Sequence, residues 1–253
     1  MSRELNILWM YPDILNLHGD RGNLMAFERI CKMLDVKANI TKVERYNDEI
    51  DFENNDIMFF NVGEIRVMPA IIDVLKKNAH AVKKFAEDNK TIILIGAAGC
   101  IMAKKTIRKD SEFEGLGILD MELTEVKDIY GDDILFTLRE NNMTIAGCQI
   151  KMLETKLNSD IALGNLDYGS GNGGFEAKTE GAKYKNVIYT NALGPVFVKN
   201  PWYAQHIIVN ALKNKNEEVS KLLGDEEFEL ELDSLREIKK FIEQKGVKNV
   251  SGN

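Results

Sequence analysis

TIILIGAAGCIMAKK, residues 91–105, is the stretch on which the reading of this chain turns. Residues 91–95 are a short run of β-favouring side chains, residues 96–99 are all small, and residues 97–105 read as a helix carrying Cys100. An apolar strand that passes through a small-residue turn into a helix is how many α/β enzymes present a nucleophile. A thiol near a helix N-terminus is biased toward the thiolate. A buried cysteine that merely fills space is the commoner occupant of such a position.

Outward from this stretch the pattern repeats. Residues 4–10 and 57–61 are short apolar strands and 37–43 an alternating one, with a polar turn at 19–23 and a loop at 62–66. Residues 23–35 place Leu24, Phe27, Cys31 and Leu34 on one helical face, and 69–88 do the same with Ile71, Val74, Leu75, Ala79, Val82 and Phe85. Short apolar strands alternating with amphipathic helices predict an α/β fold of Rossmann-like type, a mostly parallel sheet covered on both faces. From about residue 116 the character changes. Segments 133–138, 143–148, 161–167 and 186–191 read as strands of an antiparallel extension. Asn200 and Pro201 then open a helix over 201–213. Residues 215–253 are charge-rich, with one amphipathic helix over 232–244 (Leu235, Ile238, Phe241, Ile242) and a frayed end. With no internal repeat and no domain-scale linker, the expected organisation is a body over 1–214 and a charged helical tail over 215–253.

The 253 residues, 44% hydrophobic and 29% charged, suit a soluble globular protein with a sizeable core. A net charge of −7 argues against an electrostatic grip on nucleic acid or an anionic membrane. No apolar run has the length of a membrane span, and the chain opens almost directly into a strand, so a cytoplasmic location is expected. Cys31, Cys100 and Cys148 are odd in number and widely spaced, which is neither a disulfide framework nor a zinc pattern. Cys31 and Cys148 read as small hydrophobes. No metal and no cofactor is expected. Of the three histidines, His80 and His206 read as surface or boundary residues. Only His18, in the loop after the first strand, lies where open α/β sheets place ligands. The glycine-rich GSGNGG at 169–174 lacks the Lys-Ser/Thr of a phosphate loop and reads as a flexible hairpin loop.

Four motifs, in order and at matching spacing, give the chain a relative: YPDILNLHGDRGN (11–23), EGLGILD (114–120), YGSGNGG with TEGAKYKNV (168–187) and TNALGPVFVKNP (190–201). Over nearly its whole length the chain resembles the CobB/CobQ-type class I glutamine amidotransferases. It is nearest to the glutaminase subunits that work with a Mur-ligase-like partner to amidate the glutamate of peptidoglycan stem peptides. The resemblance implies an amidotransferase domain with its nucleophile on the strand-to-helix turn. It also implies a cysteine–histidine mechanism that releases ammonia from glutamine, and a hetero-oligomer with an ATP-dependent amide ligase.

The catalytic positions of that family are not retained. The family turn Ile-Cys-Gly-Gly-Tyr-Gln is matched by Ile95, Gly96, Ala97, Ala98, Gly99 and Cys100, so glycine stands at the nucleophile position. The family stretch Tyr-Leu-His-Gly-Pro is matched by Asn191, Ala192, Leu193, Gly194 and Pro195, so leucine stands at the histidine position. The Gly-Gly-Gly-x-Asp-Arg loop is matched by Asn61, Val62, Gly63, Glu64, Ile65 and Arg66, and an entrance arginine by Asp128. Gly-Phe-Glu-Asn-His is matched by Gly147, Cys148, Gln149, Ile150 and Lys151. Losing nucleophile and base together leaves no dyad. The leading expectation is therefore a catalytically degenerate subunit that stabilises or regulates a Mur-ligase-like partner. Its former glutamine pocket, holding glutamine or another small ligand, would be formed by Asn61, Gly63, Glu64, Gly96, Ala97, Cys100 and Asp128. Two alternatives stand beside it. One is an active glutaminase using Cys100, which a helical turn displaces by about 5 Å from the nucleophile position. The other is a changed chemistry around Asn61, Glu64, Gly96 and Asp128.

Overall fold

The computed structural model describes residues 3–174 and 176–250, with side chains as far as residue 245. Strands β1 (Arg3–Met10), β2 (Val36–Val43), β3 (Ile57–Phe60) and β4 (Thr91–Ile95) pair in parallel in the order β4-β3-β1-β2. Their alternation sorts side chains between two cores. Leu5, Ile7, Ile57, Phe59, Ile93 and Ile95 enter one; Leu8, Met10, Met58, Phe60, Ile92 and Leu94 enter the other. Helix α1 (Arg21–Met33) covers the first face through Leu24, Phe27, Ile30 and Cys31. Helices α2 (Met68–Lys77) and α3 (Ala79–Glu87) cover the second. The single helix expected over 69–88 is thus two. Asn78 leaves the helical region (φ −111°, ψ 21°) and its side-chain amide donates back to the Val74 carbonyl at 3.3 Å, so the first helix ends there.

The helix expected over 97–105 is a short 3-10 turn, Gly96–Ile101, and after a further turn at 102–104 the chain enters β5 (Lys105–Ile107). A continued helix would need the carbonyls at its end. They are taken instead by the EGLGILD segment: Leu116 N–H donates to Ile101 O (2.8 Å), Gly117 N–H to Ala103 O (3.1 Å) and Leu119 N–H to Met102 O (2.8 Å).

Beyond it lie β6 (Glu112–Phe113), β7 (Met121–Leu138), β8 (Thr144–Leu157), β9 (Gly164–Tyr168) and β10 (Thr179–Glu180). They form a second sheet in the order β10-β9-β7-β5-β6, with β8 paired to β7. All of its ladders are antiparallel except β5 with β7. The antiparallel extension is therefore a sheet of its own. One expected member is elsewhere: β12 (Val187–Thr190) runs parallel to β4 in the first sheet, with β11 (Ala182–Tyr184) antiparallel outside it. All four β12 side chains are buried, which suits a strand covered on both faces.

The GSGNGG loop joins antiparallel neighbours, as a hairpin should, but it is pinned. The Gln149 side chain bonds both the N–H and the carbonyl of Ser170, and the buried Lys151 ammonium reaches Ser170 Oγ (3.1 Å) and the Gly171 carbonyl (2.5 Å). Helices α4 (Val196–Lys199) and α5 (Pro201–Asn214) complete the first face. Past residue 214 the chain stays attached, since Leu223 and Phe228 are buried in the first core. Helix α6 (Glu229–Val250) follows, longer than the 232–244 expected. The expected frayed end, residues 251–253, lies outside the described residues. Among the described residues no helix is long and apolar enough to cross a membrane.

Candidate functional site

At the end of β4 the backbone leaves extended geometry at Ile95 (φ −109°, ψ 127°) and turns sharply at Gly96, where φ is +55°. L-residues rarely adopt that angle but glycine does so without strain, so the turn has the tight form of a nucleophile elbow, while the residue at its tip has no side chain. The neighbours occupy the space a nucleophile would use. A Cβ built on Gly96 would lie 2.8 Å from Val62 Cγ2 and 3.2 Å from Leu193 Cδ2. What remains is a cleft of about 10 Å³ lined by His18, Val62, Gly96, Ala97, Ile150, Met152, Leu153, Asn191 and Leu193. That volume holds at most one water molecule.

Three chain segments meet over the turn, held by the GDRGN stretch of residues 19–23. Asp20 is fully buried, and its Oδ2 accepts the Val62 N–H at 3.3 Å. Three residues on, Asn23 donates to Asn61 Oδ1 (3.2 Å) and accepts the Phe197 N–H (3.0 Å). Gly22 lets the third segment in, because a Cβ there would lie 2.7 Å from Pro195 Cγ. That segment is also bridged to β8: Leu193 N–H donates to the Cys148 carbonyl at 2.8 Å and Cys148 N–H returns to the Leu193 carbonyl at 3.2 Å.

Of the expected pocket residues, Gly96 and Ala97 line the cleft. Asn61 is buried beneath it, bonded to Asn23. Gly63 packs below the loop, where a Cβ would meet Leu15 Cδ2 at 2.4 Å. Glu64 is exposed and ion-paired with Arg66. Asp128 is exposed on β7, in the stretch between Glu125 and Tyr130 where the pairing with β8 is irregular. Cys100 faces the second core with no exposed surface, and burial pushes its thiol up to about 12. Cys31 is likewise buried, its thiol pushed up to about 12 by the same cause. His18 stands exposed at the cleft in a 3-10 turn (Leu17–Gly19) with φ +57°. Val62, Ile150 and Asn191, matched to family motifs but not assigned to the pocket, complete the lining with Met152 and Leu153, which the sequence reading did not name. The signal available for Met152 and Leu153 was position, directly after the matched stretch that ends at Lys151. Among the described residues no cluster of His, Cys, Asp and Glu is arranged to hold a metal.

The arrangement offers no nucleophile at the turn and no basic side chain at residue 193. Its chemistry is that of packing: two branched apolar side chains closed over a glycine.

The comparisons with known proteins follow the same outline. The chain is 31% identical, over 215 residues, to the lipid II isoglutaminyl synthase (glutamine-hydrolyzing) subunit GatD of Staphylococcus aureus, covering 84% of this chain and 86% of that one. It is 26% identical to the subunit of the same name from Streptococcus pneumoniae, again over 215 residues, covering 84% of this chain and 82% of that one. A crystal structure of a glutamine amidotransferase superposes with a TM-score of 0.53 at 15% identity, covering 81% of this chain and 98% of the other, a likeness of fold alone. No family model matches the chain.

Proposed function

The chain belongs to the GatD family of glutamine amidotransferase-like subunits, and from that premise we propose that it is a catalytically degenerate member. It keeps the fold and the partner-binding role, does not hydrolyse glutamine, and stabilises or regulates a Mur-ligase-like, ATP-dependent amide ligase. In this reading residues 1–214 are the amidotransferase-fold body and 215–253 a charged helical extension. The observation that carries it is the packing of Val62 and Leu193 over Gly96, where the family mechanism needs a thiolate, a base and room for a substrate amide. Cys100 is a poor replacement. It is sealed in the core on the far side of the turn, and burial holds its thiol neutral. Glu64 and Asp128 stand away from the cleft, which weighs against acid–base work there.

The decisive measurement is ammonia release from glutamine by the purified protein, alone and with whatever ligase-like protein co-purifies, comparing wild type with Cys100→Ser. No release from either is expected, together with no labelling of Cys100 by a thiol-reactive glutamine analogue. Release at ordinary glutaminase rates would overturn the proposal. Release that disappears in Cys100→Ser would assign the nucleophile to Cys100.

A further inference from the structure

Asp20 is a carboxylic acid with no surface exposure, set at the foot of α1 against the two loops that close the cleft. Its Oδ2 takes the Val62 N–H at 3.3 Å. The Gly194 N–H also faces the carboxyl group, but Oδ1 has no close partner among the described residues. Val62 is itself one wall of the cleft, and Gly194 follows Leu193, the other wall. The carboxyl group therefore sits in the seam between the two side chains that cover Gly96.

No cation among the described residues compensates this group. His18 and Arg21 on its own segment are exposed. On the loop after β3, Glu64 and Arg66 are exposed and paired with each other. On the third segment the nearest ionisable groups along the chain are the buried Tyr189 hydroxyl of β12 and Lys199 of α4, and the Cys148 thiol of β8 lies against Gly194. None of these is in an ion pair with Asp20.

We propose that the seam over Gly96 is a protonation-controlled latch, closed while the Asp20 carboxyl is neutral and released when it ionises. A carboxylate in this site keeps only the Val62 and Gly194 amides and loses its water, so the charged form is disfavoured. Burial accordingly raises the group from its ordinary 3.8 to about 6, the Val62 and Gly194 amides pulling the other way. Parting the loops would admit water and return the group to its ordinary value. The closed form is then the better proton binder. Its advantage is complete below about pH 4 and is lost as pH rises through about 6, a shift on the order of a hundredfold in the closed-to-open ratio. The cleft of about 10 Å³ admits no ligand in the closed form, so this transition would govern entry to it. Opening would also wet Asn191, which lines the cleft at 6% exposure with its amide nitrogen unpartnered.

The test is hydrogen exchange at the Val62 and Gly194 amides, corrected for intrinsic rate, on the full chain and on Asp20→Asn. Between pH 4.5 and 7.5 wild-type protection at both should fall by roughly twentyfold to thirtyfold, while the amides of β4 hold constant. In Asp20→Asn, protection should stay high and flat. A flat wild-type profile, or an Asp20→Asn profile that follows the wild type, would overturn the latch. Should Asp20→Asn fail to fold, the wild-type exchange profile decides alone: protection at Val62 and Gly194 that falls across the Asp20 carboxyl's own ¹³C titration supports the latch, and protection that does not follow that titration overturns it.

Discussion

At Gly96 the backbone turns sharply out of β4, with φ +55° and no side chain at the tip. Val62 and Leu193 occupy the space a side chain there would need. A thiol placed at this position should therefore not confer glutamine hydrolysis. In Gly96→Cys the new Cβ meets Val62 Cγ2 at 2.8 Å, in a backbone region that costs L-residues roughly 1–3 kcal/mol. The expected outcome is no ammonia release and a stability loss of about that size in chemical denaturation. Adding Leu193→His should change neither result while Val62 remains. Glutamine hydrolysis by either variant would show that the packed turn opens more readily than its contacts imply.

Among the elements, the 3-10 turn after Gly96 and the EGLGILD segment are one unit. The turn stops after Ile101 because backbone donors of residues 116–119 take the carbonyls that helix continuation would use. Gly115 makes this docking possible. A Cβ there would lie 2.4 Å from the Cys100 carbonyl oxygen, 2.5 Å from that of Ala103 and 2.8 Å from that of Ile101. These are backbone atoms that cannot swing aside. Gly115→Ala should cost about 3 kcal/mol or more, a fall of roughly 6–12 °C in melting temperature for a chain of this size. Calorimetry would check it, and a variant that melts with the wild type would mean the segment can lift off without loss. The EGLGILD segment thus has a structural role of its own.

Across the whole molecule, α6 ties the two sheets together. Near its start Glu231 pairs with Arg29 of α1 at 2.7 Å. Near its end Lys245 reaches Asp132 of β7 at 3.0 Å and the Tyr168 hydroxyl of β9 at 2.8 Å, with its ammonium 4.8 Å from the Phe241 ring centre. Burial would raise the Asp132 carboxyl, but hydrogen bonds from Tyr168, Lys245, the Asp133 N–H and Tyr130 outweigh it and hold the group down at about 2. A depressed carboxyl stabilises the fold above its ordinary 3.8 and loses that contribution as pH falls through about 2. Lys245→Met should therefore melt slightly below wild type at pH 7, and the gap should close as pH is lowered from 5 toward 2. The effect is small because both partners are partly solvated. A gap that stays constant with pH would show that the lysine acts through its packing alone.

The parallel sheet and its covering helices were legible because burial repeats locally. In β1, β3 and β4 every second residue enters the same core, and α1 buries Leu24, Phe27 and Cys31 as its spacing predicts. The four motifs carried the family, and the absence of a thiol at residue 96 and an imidazole at residue 193 is a matter of identity that no fold can alter. Sequence could not say where β12 pairs, because an apolar tetrapeptide fits either sheet and only its contact with β4 chooses. It could not stop the helix at Ile101, since the groups that stop it lie some fifteen residues further on. Nor could it decide between a thiol at the mouth of the turn and one in the core, or between an open pocket and a closed one. Those depend on residues 20, 62, 96 and 193, far apart along the chain. Local periodicity says which face of a strand or helix is buried; only the folded chain says which side chains meet there and how much space they leave.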